Sequence, residues 1–90
     1  FGLRGLTRAS ALDLAKDNIL VNAVSPGFVS TDLTREILGA EQMRDLAEQV
    51  PLGRLADPSD ISPIVLFLAS ELNSYLTGQN IVVDGGFVSA

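Results

Sequence analysis

Two short runs, Ile19-Leu20-Val21-Asn22-Ala23-Val24-Ser25 and Asn80-Ile81-Val82-Val83-Asp84, are apolar on both alternating faces. A strand with one wet face alternates apolar and polar residues. One that is apolar on both belongs inside a parallel sheet sandwiched between helices. Chain-breaking pairs follow each run, Pro26-Gly27 and Gly85-Gly86, and the intervening segments read as helix and turn, which is the order strand, crossover, parallel strand. Two parallel strands do not make a stable sheet by themselves. The spacing therefore predicts the C-terminal part of a larger doubly wound α/β domain, with two strands and three to four helices within residues 1–90.

Residues 1–17 place Leu3, Leu6, Thr7, Ser10, Ala11 and Leu14 on one helical face. Gly2, Gly5 and Ala9 line another. Each Gly costs about 1 kcal/mol of helix propensity relative to Ala, so this small-residue face reads as a place of close approach by a neighbouring helix. Asp17 and Asn18 end the helix, Asn tolerating left-handed backbone. Ser30, Thr31 and Asp32 are capping types ahead of a short helix over Leu33 to Leu38, which Gly39 stops. Met43, Leu46, Ala47 and Val50 form the amphipathic stripe of a second helix, about Glu41 to Val50, terminated by Pro51. Asp57-Pro58-Ser59-Asp60 is the start of a third, with Asp57 as cap and Pro58 at the first helical position. It runs to about Ser70 and is apolar nearly all round, so it is expected to be almost buried, with a tight or kinked first turn at Pro63. Asn73 to Gly78 is a turn region.

Composition removes several classes of function. Six Lys and Arg stand against 11 Asp and Glu, for a net charge of −5, which disfavours nucleic acid as a partner. Histidine and cysteine are absent. Disulfides, imidazole or thiolate metal sites and nucleophiles of the Cys or Ser-His kind therefore have no residues to use here, and no metal is expected. The lack of cysteine fits a reducing, cytoplasmic address. No apolar run approaches the roughly 20 residues of a membrane span. The opening, with Arg4 and Arg8 but no apolar core and cleavage site, is not patterned as a signal peptide, and the start at Phe1 reads as internal to a longer protein. Counting Gly and leaving out Tyr75, 49 of 90 residues are apolar, about 54% against a typical 45–50%; this is rich for so small a unit and implies faces that something else covers.

The chemical inventory is thin. No Gly-x-Gly-x-x-Gly or Gly-x-x-x-x-Gly-Lys spacing is present to cradle a pyrophosphate. Asp32 and Glu36 read as solvated helix surface. The segment Ser25-Pro26-Gly27-Phe28-Val29-Ser30-Thr31 stands out because it follows the C-terminal end of a buried strand, where open α/β sheets bind ligands. Gly27 would allow a flat ligand close approach and Thr31 would offer a hydroxyl. On residue pattern alone, a plain Pro-Gly turn and a plain Thr31 cap fit equally well.

Asn18 to Thr31, Pro51-Leu52-Gly53-Arg54, Phe67-Leu68-Ala69-Ser70 and Thr77 to Gly86 together resemble the C-terminal third of a short-chain dehydrogenase/reductase, a Rossmann-like family, and most of all the 3-oxoacyl-[acyl-carrier-protein] reductase type. The resemblance spans essentially all 90 residues. It implies an NAD(P)-dependent oxidoreductase moving a hydride between nicotinamide and a carbonyl or alcohol carbon of a small substrate. Pro26 and Gly27 would lie beside the nicotinamide, Val29 would hold its carboxamide through the backbone, and Thr31 would hydrogen-bond the carboxamide or the pyrophosphate. Residues 33–50 would be the substrate lid. The family's catalytic Ser and Tyr-x-x-x-Lys, and its cofactor loop, would fall ahead of Phe1, so the 90-residue chain alone is expected to be inactive. A dimer or tetramer is implied by analogy, with the opening helix, helix 58–70 and strand 80–84 at contacts. The chain departs from the pattern at Leu20, where relatives usually carry Arg, and at Pro63. The competing expectation is a non-catalytic assembly module whose apolar helices bind another chain.

Overall fold

The computed structural model describes residues 2–89; Phe1, which the sequence assigns to the opening helix, and Ala90 lie outside the described residues. The elements are α1 (Gly2–Leu14), β1 (Ala23–Pro26), α2 (Asp32–Ile37), α3 (Ala40–Glu48), α4 (Pro58–Ala69) and β2 (Asn80–Val83), with 3-10 turns at Ala15–Asp17 and Phe87–Ser89. The strands pair in parallel as a two-stranded sheet. The order of elements and the α/β class are as the sequence predicts. The chain divides into two compact units, one of residues up to Ser25 with Ile64–Ile81, the other of Pro26–Pro63 with residues from Val82 on.

In the first unit α1 turns Thr7 and Ala11 inward, both buried, with Ser10 and Leu14 half-buried. Ala11 is pressed on the turn ahead of β2, its Cβ 3.4 Å from where a Gly78 Cβ would stand. Leu3 and Leu6, expected on that face, are exposed. The helix tightens to a 3-10 turn and stops at Asn18, whose φ of 59° is left-handed, as its residue type predicts.

The first strand is shorter than the expected 19–25, because side chains replace the ladder at its start. The Val21 N–H donates to Thr77 Oγ1 at 2.9 Å, while Asn22 donates through Nδ2 to Leu76 O at 2.8 Å and accepts from the Gln79 N–H at 3.1 Å. One backbone bond joins them, from the Gly78 N–H to Val21 O at 2.7 Å, and regular pairing continues with the Ala23 N–H donating to Gln79 O at 2.9 Å. Buried Asn73 closes the turn beyond α4, donating to Leu68 O and Leu76 O and accepting from the Leu76 N–H.

Burial on both strand faces is not observed, and no residue of either strand is fully buried. The same holds for α4, where Leu66 is 69% exposed and Val65 and Phe67 are also open. The apolar pattern declares which faces avoid water, but covering them takes more layers than residues 2–89 supply.

In the second unit Thr31 caps α2, its Oγ1 accepting from the Thr34 N–H at 3.1 Å. Gly39 does not stop α2; the break is extended Leu38, and Gly39 is the N-cap of α3. The stripe of α3 behaves as read, with Met43, Leu46 and Ala47 half-buried and Val50, just past the helix end at Glu48, buried. Pro58 opens α4 as predicted, and the helix continues through Pro63 unbroken, with the Ser62 hydroxyl donating to Pro58 O at 3.0 Å. Beyond β2, Asp84 accepts from the Gly86 and Val88 N–H groups and leads the chain into its last turn.

Candidate functional site

The loop leaving β1 carries all four residues that the sequence singles out. Pro26 is the exposed last residue of the strand. Gly27 is half-buried and still pairs with β2, its N–H donating to Val83 O at 3.0 Å. Its lack of a side chain is required by the protein itself, since a Cβ there would stand 2.8 Å from Asp84 Cβ. Phe28 then packs edge-to-face on Phe87, ring centroids 5.0 Å apart.

Val29 forms a one-residue parallel bridge with Ala56. The Ala56 N–H donates to Phe28 O at 2.9 Å, and the Ser30 N–H donates to Ala56 O at 2.8 Å. In this pattern the flanked residue turns its own amide and carbonyl to the opposite side. Among the described residues neither the N–H nor the C=O of Val29 has a partner. A strand-end loop thus presents an adjacent donor and acceptor, held in place from behind by Ala56.

Thr31 is less available. Its Oγ1 receives the Thr34 N–H and shares a hydrogen bond of 2.8 Å with Thr34 Oγ1. Only when the Thr34 hydroxyl donates does Thr31 keep its own proton for another acceptor. The plain-cap reading of Thr31 is therefore realised, and a ligand role is compatible with it.

A cavity of about 190 Å³ adjoins this loop, its lining including Phe28, Val50, Leu52, Asp60 and Gly85. Along its edge Arg54 grips Asp60 with both guanidinium arms, at 2.8 and 3.2 Å. Hydrogen bonding from Arg54, then from the Asp57 N–H, pulls the Asp60 carboxyl down to about 2, and Asp60 in turn raises Arg54. The sequence marks Asp60 only as part of a helix start. An Arg a few residues ahead of an acid in a helix's first turn was the available signal for the pair. Asp84, whose carboxylate braces the backbone opposite Gly27, was read only as the end of a strand.

Residues 1–88 match the family model described as enoyl-(acyl carrier protein) reductase. A crystal structure of a short chain dehydrogenase family protein from Francisella tularensis subsp. tularensis superposes with a TM-score of 0.92 at 35% identity, covering 99% of this chain and 41% of that one. The chain belongs to the short-chain dehydrogenase/reductase family. Among curated members of the short-chain dehydrogenases/reductases, the 3-oxoacyl-[acyl-carrier-protein] reductase FabG of Aquifex aeolicus is 51% identical over 94% of this chain and 34% of its own length. The structure of the short-chain relative ElxO with NADP bound superposes with a TM-score of 0.89 at 29% identity, covering 98% of this chain and 36% of ElxO. The chain spans about a third of the length of the curated relatives it matches.

Proposed function

We propose that the full-length protein is an NAD(P)-dependent oxidoreductase that moves a hydride between nicotinamide and the carbonyl or alcohol carbon of a small substrate. Residues 2–89 would supply the nicotinamide side of the site and the lid. The observation that carries this reading is the unpartnered donor and acceptor of Val29. A primary carboxamide offers one acceptor oxygen and two N–H donors, so the Val29 N–H and C=O complement it at two points. The nicotinamide, when bound, supplies or accepts the hydride.

Pro26 and Gly27 would border the ring, and Thr31 would donate to the carboxamide or the pyrophosphate. Leu33 and Ile37 of α2 are exposed and available to close over a substrate and exclude water, with buried Val50 rooting that segment. The phosphate cradle and the Ser and Tyr-x-x-x-Lys of the family would come from the chain ahead of Phe1. A homo-oligomer is implied by analogy, and the lack of cysteine fits a cytoplasmic address. The open apolar faces, Leu3, Leu6 and Leu12 on α1 and Leu66 on α4, also favour the second reading, an assembly module without catalysis.

One experiment separates the two. The full-length protein is titrated with NADH and NADPH and assayed for their oxidation with simple ketones and 3-oxoacyl thioesters, alongside Val29→Pro, which removes the donor without breaking a hydrogen bond among the described residues. The expected result is tight binding of at least one dinucleotide, turnover, and roughly tenfold weaker binding by the variant, the size of one well-made hydrogen bond. Self-association with no dinucleotide binding would overturn the oxidoreductase reading.

A further inference from the structure

Ala56 holds Phe28 and Ser30 on either side of Val29, and both neighbours of Ala56 are tied to a single ion pair. Arg54 Nη1 donates to Leu55 O at 3.3 Å as well as to Asp60 Oδ2 at 2.8 Å, and Nη2 donates to Asp60 Oδ1 at 3.2 Å. Asp60 Oδ2 also accepts from the Asp57 N–H at 2.8 Å. We propose that Arg54 and Asp60 are positioning residues for the nicotinamide: the pair fixes residues 55 and 57, these fix Ala56, and Ala56 sets the direction in which Val29 offers its donor and acceptor. This rests on the oxidoreductase reading above.

Stability alone is a poor reason for the pair. The side chains of Arg54 and Asp60 are 59% and 35% exposed, and ion pairs so open to water contribute little. Capping alone is a poor reason too. An acceptor at the third helical position satisfies the Asp57 N–H without any Arg, and the bond from Arg54 to Leu55 O serves no helix end. What a two-armed guanidinium contact provides is fixed direction, and the groups it directs are those that flank Ala56. Direction matters because a hydrogen bond weakens steeply once donor and acceptor fall out of line, so a small rotation of the 54–60 segment would spoil both contacts of Val29 together.

The test uses the full-length protein and three probes: whichever of NADH and NADPH binds better, its 3-acetylpyridine analogue, in which a methyl replaces the carboxamide amino group, and the matching ADP-ribose, which lacks the nicotinamide. Wild type is expected to prefer the natural cofactor over the analogue by about fivefold to tenfold, the range of a single hydrogen bond. In Arg54→Met and Asp60→Ala that preference should shrink below about twofold, with ADP-ribose affinity unchanged. Arg54→Lys keeps the charge and loses one arm of the fork, so an intermediate preference is expected. It also provides the readout if either stronger variant fails to fold. Folded variants that keep the full preference, or that lose ADP-ribose affinity in equal proportion, would overturn the positioning role and leave the oxidoreductase reading standing. A wild type that binds cofactor and analogue equally would overturn the positioning role, there being no carboxamide preference to set, whereas one that binds neither dinucleotide would overturn the oxidoreductase reading itself.

Discussion

Gly27 lies against Asp84 with no space for a side chain, a Cβ on Gly27 falling 2.8 Å from Asp84 Cβ and 2.9 Å from Asp84 Cα. Asp84 is itself held, accepting from the Gly86 N–H at 2.9 Å and the Val88 N–H at 3.0 Å. The glycine that a flat ligand would need is thus already demanded by the way the two strand ends meet.

Gly27→Ala is therefore expected to destabilise the full-length protein by about 1–3 kcal/mol, the cost of forcing atoms into a filled space. Urea unfolding would show a lower midpoint at unchanged slope. Asp84→Gly loses the bonds to the Gly86 and Val88 N–H groups but removes the nearer clash and leaves the one with the main chain, so Gly27→Ala should cost less in an Asp84→Gly background than in wild type, though still something. A fully stable Gly27→Ala would mean that the strand ends are not packed this closely.

Gly85 and Gly53 separate backbone strain from packing. Both have positive φ, +64° and +78°, but a Cβ on Gly85 would meet Val50 Cγ1 at 2.7 Å, whereas one on Gly53 meets nothing within 4 Å. Gly53→Ala is expected to cost about 1–2 kcal/mol, the left-handed penalty alone. Gly85→Ala should cost more by about 1–3 kcal/mol, because buried, β-branched Val50 has no free rotamer to retreat into. Since Val50 roots the 33–50 segment, Gly85→Ala should also raise the KM for the carbonyl substrate. Equal losses of stability in the two variants would count against the tight Val50 contact.

The parts legible in the sequence are those whose cause is local or whose pattern has a single physical home. Two-faced apolar runs belong in a parallel sheet, and Asp57-Pro58 announces a helix start within one turn. The true start of β1 was hidden, because it depends on Asn22 and Thr77 bonding to partners 54 to 57 residues away. The Gly27–Asp84 contact was hidden for the same reason. At α4 the pattern correctly marked an apolar surface but not what covers it. At the site, Val29 was singled out by resemblance, yet its open donor and acceptor follow from pairing with Ala56, which no local pattern announces.

Thr31 serves as the cap of a six-residue helix, so its loss is not diluted by further turns. Thr31→Ala is expected to cost about 1 kcal/mol of stability and to weaken dinucleotide binding. Thr31→Asp keeps an acceptor for the Thr34 N–H but has no proton to give at neutral pH. It should melt near the wild-type temperature and still bind NAD(P)H less tightly. Undiminished cofactor affinity in both variants would leave Thr31 a cap and nothing more.

The Arg54–Asp60 pair gives the protein an acid-sensitive contact whose direction follows from its shift. Hydrogen bonds from Arg54 and from the Asp57 N–H draw the Asp60 carboxyl from 3.8 down to about 2, so the folded state favours the anion. A carboxyl lowered on folding adds stability that is complete above its unfolded value, near 4, and lost as pH falls through its folded value, near 2. Asp60→Asn cannot titrate, and protonated Asp60 is nearly its equal. The stability gap between wild type and Asp60→Asn should then be constant from about pH 8 to 5, narrow below about pH 4, and nearly vanish towards pH 2. Because the pair is open to solvent, salt should also narrow the gap at neutral pH. Urea titrations of both proteins across this range would check it, and a gap that stayed flat into acid would show that Asp60 is not held as an anion by Arg54.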